Sequence, residues 1–459
     1  MHAAFTTEAA APIKVHAFTR QSWTSAALEG PLSAFAETQG FVGGKGQVVT
    51  LHDGDGKPRD ILFGLGDGQD CLAFAALSAR LPKGTYKVET VPDDWPEAWT
   101  AAGWADGAYQ FDRYRKFIEA PPHLALSTEG TAADEASALS READAVALLR
   151  DLVNTPAADM GPTGLQSAVS ALGETYGATV EVTIGEALLD ANYPMVHAVG
   201  RAAHEAPRFI ELSWGRKDAP ELAIVGKGVA FDSGGLNIKT GDFMRIMKKD
   251  MGGAAHAIAL AKLVMDAELD VHLKLYVPAV ENAISANSFR PGDVLNTRKG
   301  LKVEIDNTDA EGRLILCDAL ARAEDSDPDL ILDFATLTGA ARVALGPDLA
   351  PFYTRDPALA DAMRAASETT GEPVWEMPLW MPYRDMLSSS VADLCNSGGR
   401  QAGSITAAVY LAHFVERERW MHFDIWAWRE AKYGRPAGGA ATGLRAVWSM
   451  LQTRYAKSA

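Results

Sequence analysis

Two segments of the chain concentrate residue types that could perform chemistry. The first spans residues 225–255, and the second is the octet at residues 307–314. Few histidines accompany their carboxylates, and oxygen-rich ligand sets suit hard or borderline divalent cations. Four carboxylates balance the charge of two such ions, which at a spacing of roughly 3.5–4 Å can activate a water and polarise a carbonyl. The number of carboxylates therefore suggests a site for two divalent cations, with the candidate ligands Asp232, Asp250, Asp309 and Glu311.

Each of these residues has an ordinary structural explanation when it is considered alone. An isolated aspartate before a helix is usually an N-cap, and a lysine among apolar residues usually extends its ammonium group to solvent. Without bound cations, however, so many carboxylates in one place would repel one another strongly. Only the complete set with its spacing favours the metal site over the structural explanation.

The elements around the first segment indicate how its residues are positioned. The apolar run at residues 222–225 predicts a strand. This strand would deliver Lys227 and Asp232 to the carboxyl end of a sheet, where open α/β sheets bind their ligands. We therefore expect the site at that edge.

The octet follows a strand-like run at residues 302–305 and precedes a helical stretch. Its residues Asp309 and Glu311 alternate as strand or loop positions that face one side, and Arg313 continues the alternation. The pattern predicts that all three side chains point the same way.

From residue 157 onward, apolar runs of strand length alternate with helical stretches, which is typical of a mostly parallel sheet covered on both faces. The runs lie at residues 180–184, 209–214, 222–225, 271–277, 330–335 and 420–426. We predict an α/β protein with a small N-terminal α/β domain and a large C-terminal α/β domain with a central, mostly parallel sheet. The predicted boundaries are 1–125 for the first domain, 126–156 for a linker and connecting helix, and 157–459 for the second.

Composition narrows the classes of function and the compartment. Among 459 residues, 43 Lys and Arg face 60 Asp and Glu, a formal charge of −17. This balance argues against nucleic acid or an anionic membrane as the main partner, because both are bound through clustered basic residues. The three cysteines form no CxxC pair, and neither a secretory signal nor a spanning apolar run is visible. We therefore expect a cytoplasmic protein.

The set of Lys227, Asp232, Lys239 and Asp250, with the octet Asn-Thr-Asp-Ala-Glu-Gly-Arg-Leu, resembles the signature of the leucine aminopeptidases, the M17 peptidase family. The octet alone is highly specific. Further matching blocks lie at residues 152–156, 281–282, 290–294, 336–340, 344–346, 399–403 and 441–443. The resemblance covers residues 150–450, whereas the first 125 residues match only in general character.

The resemblance implies a ligand set for two divalent ions, Zn²⁺ or Mn²⁺ and possibly Mg²⁺. Asp232 and Glu311 would bridge the two ions, and Asp309 would complete the looser site. Lys227 and Asp250 would complete the tighter site, which requires the lysine amine to lose its proton.

The resemblance also implies roles in catalysis. A water activated by the two metals would attack the scissile carbonyl, and Lys239 would stabilise the developing oxyanion. Arg313 would hold a bicarbonate ion that serves as general base. The free amine of the substrate would bind a metal, so that only unblocked N-terminal residues are released.

By the same resemblance, Met247, Thr336 and Gly339 would line the first specificity pocket, and the backbone carbonyl of Leu337 would contact substrate. The substrates would be peptides with a free N-terminus, cleaved with a leucine-like preference. The family assembles as homohexamers, and we expect the same here.

Two departures from the family pattern stand near the predicted site. Lys248 and Lys249 place two positive charges directly before Asp250, where many relatives carry one, which suggests tuned metal affinity or a bias toward acidic substrates. A segment with three tryptophans, residues 420–428, replaces a stretch of small residues. It suggests altered packing near a pocket wall or subunit contact, or simply a half-buried aromatic strand.

Two other functions remain open from the sequence. One is a dipeptidase of narrow specificity, such as a Cys-Gly hydrolase, because the same metal centre would serve and only the pocket walls would differ. The other is a nucleic-acid-binding scaffold that acts through the N-terminal domain, for which the charge pattern gives little support.

Overall fold

The three-dimensional structure is a computed structural model. It describes residues 1–7, 11–26, 31–115, 120–127, 132–431 and 435–456. The chain divides into two compact units. The first comprises Met1–Ala147, Thr370–Glu372 and Glu430–Gly438, and the second comprises Leu148–Thr369, Pro373–Arg429 and Gly439–Ala459.

The first unit is built on a six-stranded sheet in the described part of the chain, with the order β1-β6-β5-β2-β4-β3. Its strands are β1 (Phe5–Thr6), β2 (Ile13–Thr19), β3 (Val48–His52), β4 (Pro58–Gly66), β5 (Thr85–Thr90) and β6 (His123–Ala125). Its helices are α1 (Arg20–Ser25), α2 (Pro31–Thr38), α3 (Ala75–Ser78), α4 (Glu97–Ala108) and α5 (Ala132–Asn154), the last of which continues into the second unit. Strands β2, β4, β5 and β6 run parallel, and β3 is an antiparallel edge.

The second unit contains the remaining elements. Its strands are β7 (Thr179–Ile184), β8 (Arg208–Trp214), β9 (Glu221–Gly226), β10 (Gly228–Asp232), β11 (His272–Asn282), β12 (Val294–Asn296), β13 (Lys302–Glu304), β14 (Leu330–Ala335), β15 (Ala350–Thr354), β16 (Val374–Glu376), β17 (Leu394–Cys395), β18 (Trp420–Asp424), β19 (Trp428–Arg429) and β20 (Gly438–Gly439), of which Gly438 belongs to the first unit. Its helices are α6 (Pro162–Tyr176), α7 (Ala187–Asp190), α8 (Pro194–Gly200), α9 (Gly241–Met244), α10 (Gly252–Asp266), α11 (Glu311–Glu324), α12 (Gly339–Leu345), α13 (Pro357–Thr370), α14 (Gly403–Ala412) and α15 (Leu444–Arg454), with 3₁₀ helices at Met247–Met251 and Met381–Leu387.

The large sheet of the second unit has the order β16-β15-β18-β14-β9-β11-β8-β7, with β10 attached to β11. Strands β18, β14, β9 and β11 form its parallel centre, and β8 and β7 add an antiparallel edge. Central strands β9 and β14 are buried almost throughout, which explains their mostly apolar sequences. The exception in β14 is Asp333, whose buried carboxylate accepts from the Trp420 indole N–H at 2.7 Å and pairs with His422. This architecture confirms the predicted α/β fold with a central, mostly parallel sheet.

Close packing of α10 on the sheet positions the segment that precedes it. A Cβ atom on Gly253 would lie 2.1 Å from the carbonyl oxygen of Phe334, so no other residue fits there without displacing β14. The same contact holds the 3₁₀ helix at Met247–Met251 beside the carboxyl ends of β9 and β14. Asp250 is thereby brought to the edge where the sequence places the site.

Among the helices of the described residues, none combines the length and apolar character that a membrane crossing requires.

Candidate active site

The candidate ligands come from four separate elements of the second unit. Lys227 directly follows β9, and Asp232 is the last residue of β10. Asp250 lies in the 3₁₀ helix, and Asp309 lies in the turn before α11, which begins at Glu311. The carboxyl ends of neighbouring strands therefore bring together residues that are distant in sequence.

The structure brings the carboxylates of Asp309 and Glu311 together, but the predicted alternation does not extend to Arg313. Helix α11 already begins at Glu311, so Glu311 and Arg313 lie two positions apart on a helix. Their side chains therefore point in directions about 200° apart, whereas alternate residues of a strand share one face. Glu311 contacts Lys227, whereas the Arg313 guanidinium donates to the backbone carbonyl of Asn396 at 2.7 Å. The local pattern failed because alternation indicates one face only where the backbone is extended.

Three of the carboxylates form a compact cluster. Ligand oxygens of Asp232, Asp309 and Glu311 all lie within 4.8 Å of one another. Asp232 and Glu311 are 2 % and 1 % exposed, and Asp309 is partly buried. Burial on this scale is uncommon for carboxylates unless each is paired or binds a cation.

Lys227 connects Asp250 to this cluster. Its ammonium nitrogen lies 2.6 Å from Asp250 Oδ2 and 3.1 Å from Glu311 Oε1, and it donates to the carbonyl oxygen of Thr336 at 2.9 Å. Burial alone would lower the pKa of Lys227, but the facing carboxylates of Asp250 and Glu311 outweigh it and raise that pKa. Lys227 is therefore protonated in the metal-free cluster, and it must release a proton before it can serve as a ligand.

Lys239 approaches the cluster from the other side. Its ammonium group lies 2.8 Å from Asp232 Oδ2 and also pairs with Asp309. Desolvation opposes the charged form, yet the neighbouring carboxylates, led by Asp232, raise the pKa of Lys239. Lys239 thus remains a cationic donor at neutral pH.

The pKa values of the buried carboxyl groups shift in different directions. Burial, followed by the charge of Asp232, raises the pKa of Glu311 to about 7. Burial, followed by the charge of Asp250, raises the pKa of Asp232 to about 6. Asp250 differs, because Lys227 and Lys249 outweigh its desolvation and lower its pKa. The metal-free cluster therefore holds protons that bound cations would displace.

The donor set fits divalent cations. Glu311 Oε2 is buried and has no hydrogen-bond partner within the residues that the structure describes. An orphaned carboxylate oxygen in the interior is rare, and a cation would satisfy it. The other donors are carboxylate oxygens and one lysine nitrogen, a set that accommodates several divalent ions.

We expect Glu311→Gln to stabilise the metal-free protein relative to wild type, and increasingly so as the pH rises. The folded protein holds the Glu311 proton more tightly than the unfolded chain does, so this carboxyl loses stability as pH rises from 4.5 toward about 7. Glutamine does not titrate. Thermal denaturation in excess chelator should therefore show a Tm difference, variant minus wild type, that grows across this interval.

Saturating Mn²⁺ provides the control for that measurement. It should reverse the order of the two Tm values, because the variant has lost a ligand. A Tm difference in chelator that stays constant or shrinks with pH would contradict the raised pKa of Glu311.

The predicted pocket segment is anchored at both ends. The Thr336 hydroxyl hydrogen-bonds Asp250 Oδ1 at 2.9 Å. Asp424 Oδ1 accepts from the backbone N–H groups of Leu337 and Thr338 at 3.1 and 3.0 Å, and its Oδ2 accepts from the Thr338 hydroxyl at 2.6 Å. A Cβ atom on Gly339 would meet no described atom within 4 Å, so this position faces open space.

Met247 is buried at the start of the 3₁₀ helix that carries Asp250. The structure therefore places both predicted pocket residues close to Asp250. Met247 lies in the same 3₁₀ helix, and Thr336 is hydrogen-bonded to the Asp250 side chain.

Arg313 is buried beside the cluster, and desolvation lowers its pKa. One guanidinium nitrogen donates to Asn396, whereas Nε has no hydrogen-bond partner among the described residues. Buried guanidinium donors of this kind suit a planar oxyanion.

The two departures from the family pattern contact each other. The Lys249 ammonium lies 4.1 Å from the centroid of the Trp426 ring and 3.6 Å from Asp250 Oδ1, with only 3 % of the residue exposed. The Lys248 ammonium donates to the Asn154 carbonyl and lies 5.6 Å from the Trp428 ring centroid. Aromatic faces thus stabilise the additional charges through cation–π contacts.

Sequence reasoning gave no role to several residues that position the site. Asn282 donates to Asp232 Oδ1, the Thr308 hydroxyl donates to the Gly234 carbonyl, and Asp424 anchors Leu337 and Thr338. The only signal was that Thr308 lies in the octet beside Asp309 and that Asn282 lies in one of the matching blocks. Their partners are between 50 and 87 residues away in sequence, so spacing alone could not reveal these contacts.

Buried carboxylates and lysines at the carboxyl edge of a mostly parallel sheet are typical of the active site of an α/β enzyme. The cytosol aminopeptidase family, catalytic domain, matches residues 147–448, and the M17 aminopeptidase N-terminal domain matches residues 19–127. A probable cytosol aminopeptidase of Roseiflexus castenholzii is 34 % identical over 461 residues and covers 94 % of each chain.

Solved structures agree with these matches. A cytosol aminopeptidase from Coxiella burnetii superposes with a TM-score of 0.92 at 42 % identity, covering 98 % of this chain and 99 % of that one. The bottromycin maturation enzyme BotP in complex with Mn gives a TM-score of 0.87 at 33 % identity, covering 97 % and 100 %. The chain therefore belongs to the M17 cytosol aminopeptidase family, and it is a hydrolase of the aminopeptidase class. The resemblance stated from the sequence is confirmed.

Proposed function

We propose that this aminopeptidase uses two divalent cations to release N-terminal residues, with a leucine-like preference, from peptides that have a free N-terminus. Asp232, Asp309, Glu311, Asp250 and Lys227 would hold the cations. The orphaned, buried Glu311 Oε2 is the observation that carries the proposal. When bound, the ions would supply Lewis acidity to the scissile carbonyl and to a water. Mn²⁺ and Zn²⁺ are the preferred candidates, and a relative that binds Mn supports the first.

Lys239 is the proposed donor to the oxyanion. Its ammonium group stays protonated because carboxylates surround it, and it stands at the open side of the cluster with a side chain 14 % exposed. A fixed cation aimed at developing negative charge favours the tetrahedral transition state over the planar substrate.

Arg313 is the proposed holder of the general base. Its Nε is a buried donor that lacks a partner among the described residues, and a bicarbonate ion would supply the missing acceptor. Arg313 would hold this ion, and when bound it would supply general acid–base chemistry for the hydrolysis of the peptide bond to a carboxylic acid and an amine.

The substrate pocket is proposed at Met247, Thr336 and Gly339, with the Leu337 carbonyl as a substrate contact. Support comes from the anchoring of this segment to Asp250 and Asp424, which holds the backbone at Leu337 in place. We further propose a cytoplasmic homohexamer, as the names of the relatives and the family resemblance suggest.

A pair of substrates tests the proposal directly. Leucine amide should be hydrolysed in the presence of Mn²⁺, whereas N-acetyl-leucine amide should not, because an acetylated nitrogen offers neither a lone pair nor a positive charge to the carboxylate cluster. Chelator should abolish the reaction. Equal cleavage of both amides, or full activity after exhaustive chelation, would refute the two-cation aminopeptidase. Including Cys-Gly among the substrates tests the narrower dipeptidase, which would require that peptide to be strongly preferred.

A further inference from the structure

Asn282 occupies a position that none of the proposed roles uses. It is the last residue of β11, it is 1 % exposed, and it pairs in parallel register with Asp232 at the end of β10. Two strands therefore end side by side, one carrying a candidate metal ligand and the other a buried amide. An amide in such a place has to satisfy its polar atoms inside the protein.

Both donors of the Asn282 amide are directed at the candidate ligand loops. Its Nδ2 donates to Asp232 Oδ1 at 2.8 Å and to the backbone carbonyl of Thr308, the residue before Asp309, at 3.0 Å. One amide group thereby links the Asp232 side chain to the loop that carries Asp309.

The orientation of this amide is determined by its partners. Both contacts of Nδ2 are to acceptors, so the opposite orientation would set the Asn282 oxygen against a carboxylate oxygen and a carbonyl oxygen. In the observed orientation Oδ1 is buried without a hydrogen-bond partner among the described residues. The observed orientation therefore satisfies the Nδ2 donors of Asn282 and leaves its Oδ1 acceptor without a partner among the described residues.

This contact distinguishes the two oxygens of Asp232. Oδ1 accepts from Asn282 and from the backbone N–H of Gly234 at 2.9 Å, so protein donors occupy it. Oδ2 lies 2.8 Å from the Lys239 ammonium, on the side of the charged cluster. The carboxylate cannot rotate without losing both donors to Oδ1.

We propose that Asn282 is a positioning residue for the metal centre: it fixes Asp232 so that only Oδ2 is available to cations, and it holds the Asp309 loop at the matching distance. The proposal rests on the proposed function only in treating Asp232 and Asp309 as ligands. Outer partners that orient a ligating carboxylate typically contribute about 10–100-fold to metal affinity. Asn282 is expected to contribute an amount in this range.

The test is the affinity of the purified full-length protein for Mn²⁺, measured by titration calorimetry after chelator treatment. Asn282→Leu keeps the approximate size and the neutral charge of the side chain but removes both donors to Asp232 and the Thr308 carbonyl. We expect Mn²⁺ affinity to fall by about 10–100-fold while the chelator-treated protein still unfolds cooperatively. The control Asn287→Leu makes the same substitution at an exposed residue of the loop after β11 and should bind Mn²⁺ as wild type does.

Unchanged Mn²⁺ affinity in Asn282→Leu would overturn the positioning role. If that variant does not fold, Asn282→Ser decides the question, because its hydroxyl is too short to reach both partners and the same loss of affinity is expected. A lower Tm with wild-type affinity in either variant would mean a purely structural residue. A wild-type protein that binds no Mn²⁺ would instead count against the proposed two-cation function, so the two failures are distinguishable.

Discussion

Replacing Glu311 with glutamine should remove both metal binding and peptidase activity. We expect kcat/KM on leucine amide to fall by about 10³-fold, an order beyond the 10–100-fold that the loss of an outer partner of a metal ligand typically costs. The reason is geometric. One Glu311 oxygen lies 3.1 Å from the Lys227 ammonium, and the other is buried without a partner among the described residues. Glu311 therefore lies between Lys227 and the carboxylates of Asp232 and Asp309. Glutamine keeps one neutral acceptor oxygen and replaces the other with an NH₂ group that cannot bind a cation, so the bridging negative charge is lost.

Metal content per subunit, measured by elemental analysis beside the rate assay, decides this prediction. Glu324→Gln is the matched control, because the same substitution at the other end of α11 leaves the cluster untouched and should preserve both readouts. Retention of two ions and of most activity by Glu311→Gln would show that Glu311 is not a ligand.

Replacing Lys239 with methionine should separate catalysis from metal binding. We expect kcat to fall by about 10²–10³-fold, the usual cost of removing one donor to a developing oxyanion. Metal content should stay at the wild-type level or rise, because the Lys239 ammonium competes with cations for Asp232 Oδ2 and for Asp309. Because the lost interaction belongs to the transition state, KM should change far less than kcat.

Lys262→Met is the matched control for that substitution. It removes an equally flexible ammonium group from α10, where Lys262 pairs with Asp266 within one helix. Loss of metal together with activity in Lys239→Met would assign Lys239 to the binding of the ions instead, and an unaltered kcat would remove it from the mechanism.

Much of the fold could be predicted because its signals are local. The runs at residues 222–225 and 330–335 are short, apolar and bounded by polar residues, and they form β9 and β14 in the parallel centre of the sheet. Burial on both faces favours apolar residues at nearly every position, so the length and composition of each run predict the strand. The buried Asp333 of β14 is the exception, and its partners Trp420 and His422 come from a distant part of the chain. Within the octet, the predicted direction of the Arg313 side chain is wrong because α11 already begins at Glu311. Sequence alternation cannot distinguish an extended backbone from the first turn of a helix.

The protonation states could not be predicted from residue types. Asp250 and Glu311 are both buried carboxylates near Lys227, yet the pKa of one is lowered and that of the other is raised to about 7. The difference lies in the balance between desolvation and the distances to neighbouring charges, and that balance exists only after three separate segments have packed together.

By itself, the sequence determined which residue types this protein brings to its chemistry, the spacing within each segment, and the strands that carry the segments, because covalent spacing and apolar periodicity are properties of short stretches. Only the tertiary structure decided how the segments face one another: that Asn282 occupies Asp232 Oδ1, that Asp424 anchors Leu337, and that Lys249 lies on Trp426. These contacts depend on sheet register and on the approach of α10 to β14. Both are set by packing among distant parts of the chain rather than by any local pattern.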